Sequence, residues 1–427
     1  MNDNNKIALF SLISKSVKIV SGPIVIFVVS STLEESELAF YYAFFSLVAM
    51  QQLLEMGIGH VLRQQIAHSF KLTEGMWSLD SQREIKNYIY FANFWFLCLS
   101  LLFFLLVGGG GYVYFSTSNI ENINWQEPWL ILISTISFFI IFTPISITIE
   151  SVQRQKVLFK ARLLSSIINA VSMIVLINGD YKLYSIGIAL FISNLVLYIL
   201  LFVSNVDIFK KLTIVERTKN FFDIFNSIKG LLGRVSLVWL LGYFFWNGFN
   251  LIAFKALELE DAGRFMLLMS LAKVGFQIAE SITQGQMTIY SNMIANGNGI
   301  KARKLFRRYR GFSFLLLIVG YVVFFVFTKI FSEISLIKKL PDSLMIISVF
   351  SYFFTLLFLT LNNNFIRCFK AEPFVLVSIF NSILVPLSFY TSLSLDFINI
   401  MIMPITVLMV SILWSKRIAR DFYEKQY

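Results

Sequence analysis

The chain has 427 residues, 57% hydrophobic and 14% charged, with a mean hydropathy of +0.73. Soluble globular proteins carry about 25% charged residues, so the composition excludes a soluble domain and points to a bilayer as solvent. The net charge of +11 is then a matter of which side of a membrane the cations occupy, and needs no nucleic acid.

The sequence predicts twelve helical spans, near residues 7–31, 38–61, 87–114, 129–149, 161–178, 184–204, 231–254, 263–290, 311–330, 343–361, 374–392 and 396–414. Apolar stretches of about 20 residues match a hydrocarbon core of about 30 Å. The expected fold is all-α and polytopic. Span 1 is expected to be retained, because Lys15 and Lys18 interrupt it and no small-x-small cleavage site follows. At 1.5 Å per residue, Lys18 lies roughly 16 Å from Ile7, near the middle of the core. Ser11, Lys15, Lys18 and Gly22 recur on one helical face. In span 2, Gln51, Glu55, Gly59 and Arg63 recur every four residues. The outer loop around 115–128 contains no Lys or Arg and is too short for a catalytic lobe. That counts against a membrane enzyme such as a glycan polymerase.

In the second half, span 7 holds Arg234, Asn247 and Asn250, with Trp246 beside them. Span 8 reads as an unbroken polar stripe of Ser270, Lys273, Gln277, Glu280, Gln284, Thr288 and Ser291. The run "KARKLFRRYR" at 301–310 follows it. With the N-terminus cytoplasmic, and residues at the very ends of spans counted with the loop they adjoin, the cytoplasmic segments hold 26 of the 36 Lys and Arg, the outer segments six and the spans four. This asymmetry predicts that both termini are cytoplasmic. His60 and His68 have no partners at metal-ligand spacing, and Cys98 and Cys368 are expected as unpaired thiols. No metal or cofactor is expected.

The halves look related, which suggests a 6 + 6 duplication with domains at 1–210 and 211–427. "ESVQRQKVLFKARLLSSIINAVSMIV" after span 4 resembles "NNNFIRCFKAEPFVLVSIFNSILVPL" after span 10 at an offset of 213. Six spans return the chain to its starting side, so the repeats run parallel and are expected to enclose a central cavity. Away from the span ends, the ionisable residues inside spans are Lys15, Lys18, Glu55, Arg234, Lys273 and Glu280, all in spans 1, 2, 7 and 8. Such residues cannot face lipid cheaply. One reading is internal pairing, Lys15 or Lys18 with Glu55 and Lys273 with Glu280. The other is a hydrated cavity with surplus positive charge, suited to a phosphate-bearing substrate. On that reading Lys15, Lys18, Arg63, Arg234 and Lys273 bind substrate. Gln51, Asn247, Asn250, Gln277 and Gln284 line the cavity. Glu55 and Glu280 are candidates for coupling to a proton or sodium gradient.

Residues 14–62 resemble the opening of the polysaccharide transporters, including the Wzx-type O-antigen flippases, within the multidrug/oligosaccharidyl-lipid/polysaccharide exporter superfamily. The likeness rests on Lys15-x-x-Lys18 before Gly22-Pro23, on "AFYYAFFSL" and on "LLEMGIGHVL". "ESVQRQK" departs from the family pattern at the end of span 4. The resemblance implies two six-helix bundles around a cavity. It also implies flipping of an undecaprenyl-pyrophosphate-linked oligosaccharide, an O-antigen or capsule repeat unit, across the bacterial inner membrane. Partners would be that glycan, the bilayer, and the polymerase and chain-length proteins of the same lipopolysaccharide pathway. The alternatives are a multidrug cation antiporter, whose cavity should be net acidic, and a membrane-embedded polymerase.

Overall fold

The computed structural model describes residues 22–427 apart from 74–75, 118–122, 370, 372, 396 and 427, and leaves undescribed the side chains of 72, 231, 233–241, 288, 425 and 426. The described chain is built almost entirely of helices, and it is a multi-pass membrane protein. Among the described residues, eight helices are long and apolar enough to cross a membrane, and one further pair passes the same test as a bent unit. Each of the twelve predicted spans overlaps helix. The chain divides into two compact units. One holds the described residues through Thr32 and Phe44–Leu240; the other holds Leu33–Ala43 and Leu241 onwards.

The first unit begins with α1 (Gly22–Thr32) and takes in the end of α2 (Glu35–Val48). It continues with α3 (Met50–Glu55), α4 (Ile58–Ser69), α5 (Leu79–Leu102), α6 (Gly109–Ser116), α7 (Gln126–Ile140) and α8 (Thr143–Ser151). Then come α9 (Gln155–Asn178), α10 (Tyr184–Val203), α11 (Val206–Ile214) and the start of α12 (Phe221–Ala256). A stretch of π-helix, Phe103–Gly108, joins α5 to α6 into one span. Span 4 is bent by 40° between α7 and α8. A short antiparallel hairpin, β1 (Leu72–Thr73) with β2 (Met76–Trp77), is an addition to the all-helical expectation. Ser81 anchors it: its hydroxyl donates to the Ser69 carbonyl at 2.6 Å and accepts from Trp77 Nε1 at 2.9 Å. The core of this unit gathers Phe44, Phe115 and Trp129, with ring centroids 5.1–5.3 Å apart. Trp129 Nε1 donates to the Gly108 carbonyl at 3.0 Å, which satisfies its buried N–H. Helices α9 and α10 meet through small polar side chains: Ser165 Oγ donates to the Ser193 carbonyl at 2.9 Å. Small residues serve helix association in membranes because burial against lipid supplies no hydrophobic drive.

The second unit holds the rest of α12, then α13 (Leu259–Gln284), α14 (Met287–Ala295), α15 (Gly299–Ile330) and α16 (Ser335–Lys338). It ends with α17 (Ser343–Arg367), α18 (Val375–Ser394) and α19 (Ile402–Gln426). Its core runs through Phe249, Tyr352, Phe389 and Phe265. The segment Leu33–Ala43 belongs here for visible reasons. Arg264 reaches Glu35 at 3.9 Å, Lys339 donates to the Leu33 carbonyl, and Phe40 packs edge-on against Phe254 at 5.0 Å.

Candidate substrate site

In the first unit, α3 carries Gln51 and Glu55, one turn apart. Gln51 Nε2 donates to Glu55 Oε1 at 2.8 Å, and both side chains are half-buried. The helix stops immediately after Glu55. Met56 and Gly57 are both left-handed, with φ of 49° and 73°, and α4 starts at Ile58. Glycine adopts that conformation freely, whereas methionine rarely does, and such residues gather at functional sites.

Arg63, one turn into α4, pairs with Glu150 at 3.7 Å, and the same Oε2 pairs with Arg162 at 3.3 Å. Arg63 is therefore not a spare cation. Ser151 Oγ also donates to the Arg63 carbonyl at 3.1 Å, so α8 holds both ends of the residue. Sequence reasoning misses Glu150 and Arg162. The available signal is a carboxylate in the last turn of an apolar span with an arginine twelve residues on. Glu150→Gln would leave two half-buried guanidiniums facing each other. It is expected to cost about 1–2 kcal/mol, the modest value fitting a partly exposed pair. A thermal melt of the detergent-solubilised protein should show a fall of several degrees, partly restored by adding Arg162→Gln; an unchanged melt would refute the role.

In the second unit, Lys273 on α13 sits over the Trp246 ring, 4.8 Å from its centroid. Among the described residues, no carboxylate lies within ion-pair reach of it. Glu280, two turns later, accepts instead from Gln284 Nε2 at 2.8 Å and from Asn364 Nδ2 of α17 at 3.0 Å. The Lys273–Glu280 pair weighed from the sequence does not form. Asn364 is a second residue the sequence reasoning misses; the asparagine triplet 362–364 beside an apolar span is its signal. Gln277 is exposed, Asn250 is half-buried, and Asn247 Nδ2 donates to the Tyr243 carbonyl at 3.1 Å. The stripe expected to run unbroken to Ser291 ends at Gln284. Gly285 and Gln286 form a turn and α14 starts afresh at Met287.

Lys15 and Lys18 lie outside the described residues, and so does the Arg234 side chain. What remains is a matched arrangement in the two units. Each has one half-buried glutamate held by a glutamine one turn away on the same span, Gln51 with Glu55 and Gln284 with Glu280. Each of these spans breaks within five residues of the glutamate. Both carboxylates are hydrogen-bonded by neutral amides, and neither makes a direct ion pair among the described residues.

A multidrug resistance MATE family transporter of the MOP superfamily, solved in an inward-facing conformation, matches with a TM-score of 0.72. The match is 12% identical and covers 96% of this chain and 98% of the other. The chain has the fold of the MATE transporters. MATE in its bent conformation matches at 0.57 with 14% identity, over 100% of this chain and 98% of its own. A MOP superfamily transporter from Pyrococcus furiosus, described by a reversed polarity of its binding pocket and a different suggested function, matches at 0.54 with 14% identity, over 97% and 95%. No protein-family model matches the sequence, and no curated protein sequence does. At these identities, the MATE-like neighbours establish the fold; the choice of substrate depends on this chain's own residues.

Proposed function

We propose that the protein is a membrane transporter of the MOP superfamily rather than an enzyme. We further propose that it moves an undecaprenyl-pyrophosphate-linked oligosaccharide across the bacterial cytoplasmic membrane by alternating access. The observation that carries the anionic substrate is Lys273: a half-buried lysine on an apolar helix, with an exposed tryptophan beside it and no carboxylate partner among the described residues. A cation kept in such a place without an internal partner suits a ligand that brings the negative charge. Trp246 offers a ring face suited to stacking on a sugar. The Lys15-x-x-Lys18 motif and Arg234 supply further cations in the same reading. Both termini are proposed to be cytoplasmic, and the glycan polymerase and chain-length proteins are the proposed pathway partners.

A second reading is an organic-cation antiporter. It is favoured by the multidrug transporter with the same fold and by Glu55 and Glu280, whose hydrogen-bond partners are neutral amides. One reconstitution separates the two. Proteoliposomes holding the full chain are loaded with a fluorescent lipid-linked glycan or with a fluorescent organic cation. Translocation of the glycan, with no gradient-driven cation movement, is the expected result. Cation movement without glycan translocation would replace the first reading with the second.

A further inference from the structure

A cavity of about 590 Å³ lies within the second unit, between α15, α17 and α19. Its lining includes neither Lys273 nor Glu280, nor Trp246, Gln284 or Asn364. Arg303, Arg310 and Lys416 line it, together with Phe358, Tyr423 and Ser415. None of the three cations is ion-paired among the described residues. They are held instead by aromatic faces: Arg303 lies 4.0 Å from the Tyr423 centroid, Arg310 5.6 Å and Lys416 5.3 Å from that of Phe358. Arg310 spends one N–H on Asn362 Oδ1 at 3.1 Å, which orients the guanidinium. Arg420 and Glu424 also line it and pair at 3.9 Å, so their charges offset each other and the surplus of the other three cations stands.

Ser415 supplies an independent sign. It is 5% exposed, it lines the cavity, and its hydroxyl is buried with no hydrogen-bond partner among the described residues. Buried hydroxyls are normally satisfied, and leaving one unpaired costs about 1–3 kcal/mol. A ligand oxygen beside three cations would satisfy it. The same helices carry large exposed apolar side chains close in sequence to the cavity-lining residues: Phe312 and Leu315 on α15, and Met409 and Leu413 on α19. The cavity therefore offers cations for a phosphate, and the exposed apolar side chains of the same helices suit the acyl chains attached to it.

We propose that this cavity is a binding site for the phosphate headgroup of an anionic membrane lipid, separate from the transport site. The Arg-rich start of α15, which serves the positive-inside pattern, would then have a second use.

The test is native mass spectrometry of the full chain in neutral detergent, titrated with phosphatidylglycerol and separately with phosphatidylcholine. One phosphatidylglycerol should bind at least tenfold more tightly than phosphatidylcholine. Arg310→Gln and Lys416→Gln should each remove most of that preference, and Ser415→Ala should weaken it several-fold. Lys338→Gln, outside the cavity, should leave it unchanged. Lys416 is exposed, so its variant remains informative even if Arg310→Gln does not fold. Equal binding of the two lipids, or cavity variants that bind like the parent, would overturn the proposal. A competing arm adds inorganic phosphate at millimolar concentration. Retention of the lipid supports the headgroup site, whereas displacement would assign the cavity to free phosphate and overturn the lipid assignment. The assay reads binding without transport, so its outcome is independent of the proposed function.

Discussion

On the proposed flippase function, Lys273→Gln is expected to slow glycan translocation at least tenfold while leaving the protein in the membrane at close to its normal level. The two halves of that expectation come from one fact, the absence of a carboxylate partner among the described residues. Removing one member of a buried ion pair strands the other charge and destabilises the fold by about 3–5 kcal/mol. Lys273 strands nothing, because Glu280 is already satisfied by Gln284 and Asn364. The loss to the fold is confined to the contact with Trp246, worth about 0.5–2 kcal/mol, and glutamine keeps much of the packing. A charge-assisted contact with a substrate phosphate is worth about 1.5–3 kcal/mol, and each 1.4 kcal/mol is about tenfold. Lys273→Arg keeps the charge and should retain part of the activity. Translocation in proteoliposomes and the amount of protein per membrane are measured together. If the protein vanishes from the membrane, the lysine is structural. If glycan translocation persists, the anionic-substrate reading loses the residue that carries it.

The fold was legible because crossing a membrane imposes a one-dimensional rule. About 20 apolar residues are needed per span, and that length survives whatever the tertiary packing does. The breaks inside spans were not legible. Gly57 and Gly285 stand in the sequence, but glycine is common in membrane helices, and only coordinates reveal that the chain turns at Met56–Gly57 and Gly285–Gln286. The site was legible in part. Period-four spacing put Gln51 with Glu55 and Glu280 with Gln284, and both contacts exist. Lys273 and Glu280 share a face, but seven residues span about 10.5 Å along a helix. That is too far for a direct ion pair. Glu280 is instead met by Asn364, 84 residues away, and Arg63 is claimed by Glu150, 87 residues on. Contacts at such separation leave no periodic trace.

Gly263→Val is expected to abolish recovery of folded protein, and Gly263→Ala to reduce it sharply. A Cβ at this position would lie 1.8 Å from the Glu35 carbonyl oxygen and 3.2 Å from the Ala39 nitrogen. Both are backbone atoms, so no rotamer change relieves the clash; α13 and α2 must move apart. Ala39 and Ala43, spaced four residues apart on α2 and fully buried, form the kind of small-residue face that lets membrane helices approach this closely. Separating the helices would also loosen the Arg264–Glu35 pair and the Lys339 bond to the Leu33 carbonyl. Exchanging a helical glycine for alanine otherwise gains about 0.5–1 kcal/mol, while overpacking a tight contact costs about 1–3 kcal/mol or more. The sign at Gly263 is therefore set by the clash. Gly311 on α15 gives the opposite case: a Cβ there meets nothing within 4 Å, so Gly311→Ala should be neutral or mildly stabilising. Size-exclusion profiles of detergent-solubilised fluorescent fusions compare the variants directly. A monodisperse Gly263→Val peak at parental yield would mean that the α2–α13 crossing is not the close backbone contact described here. A collapsed Gly311→Ala peak would mean that glycine is required on α15 for some reason other than space.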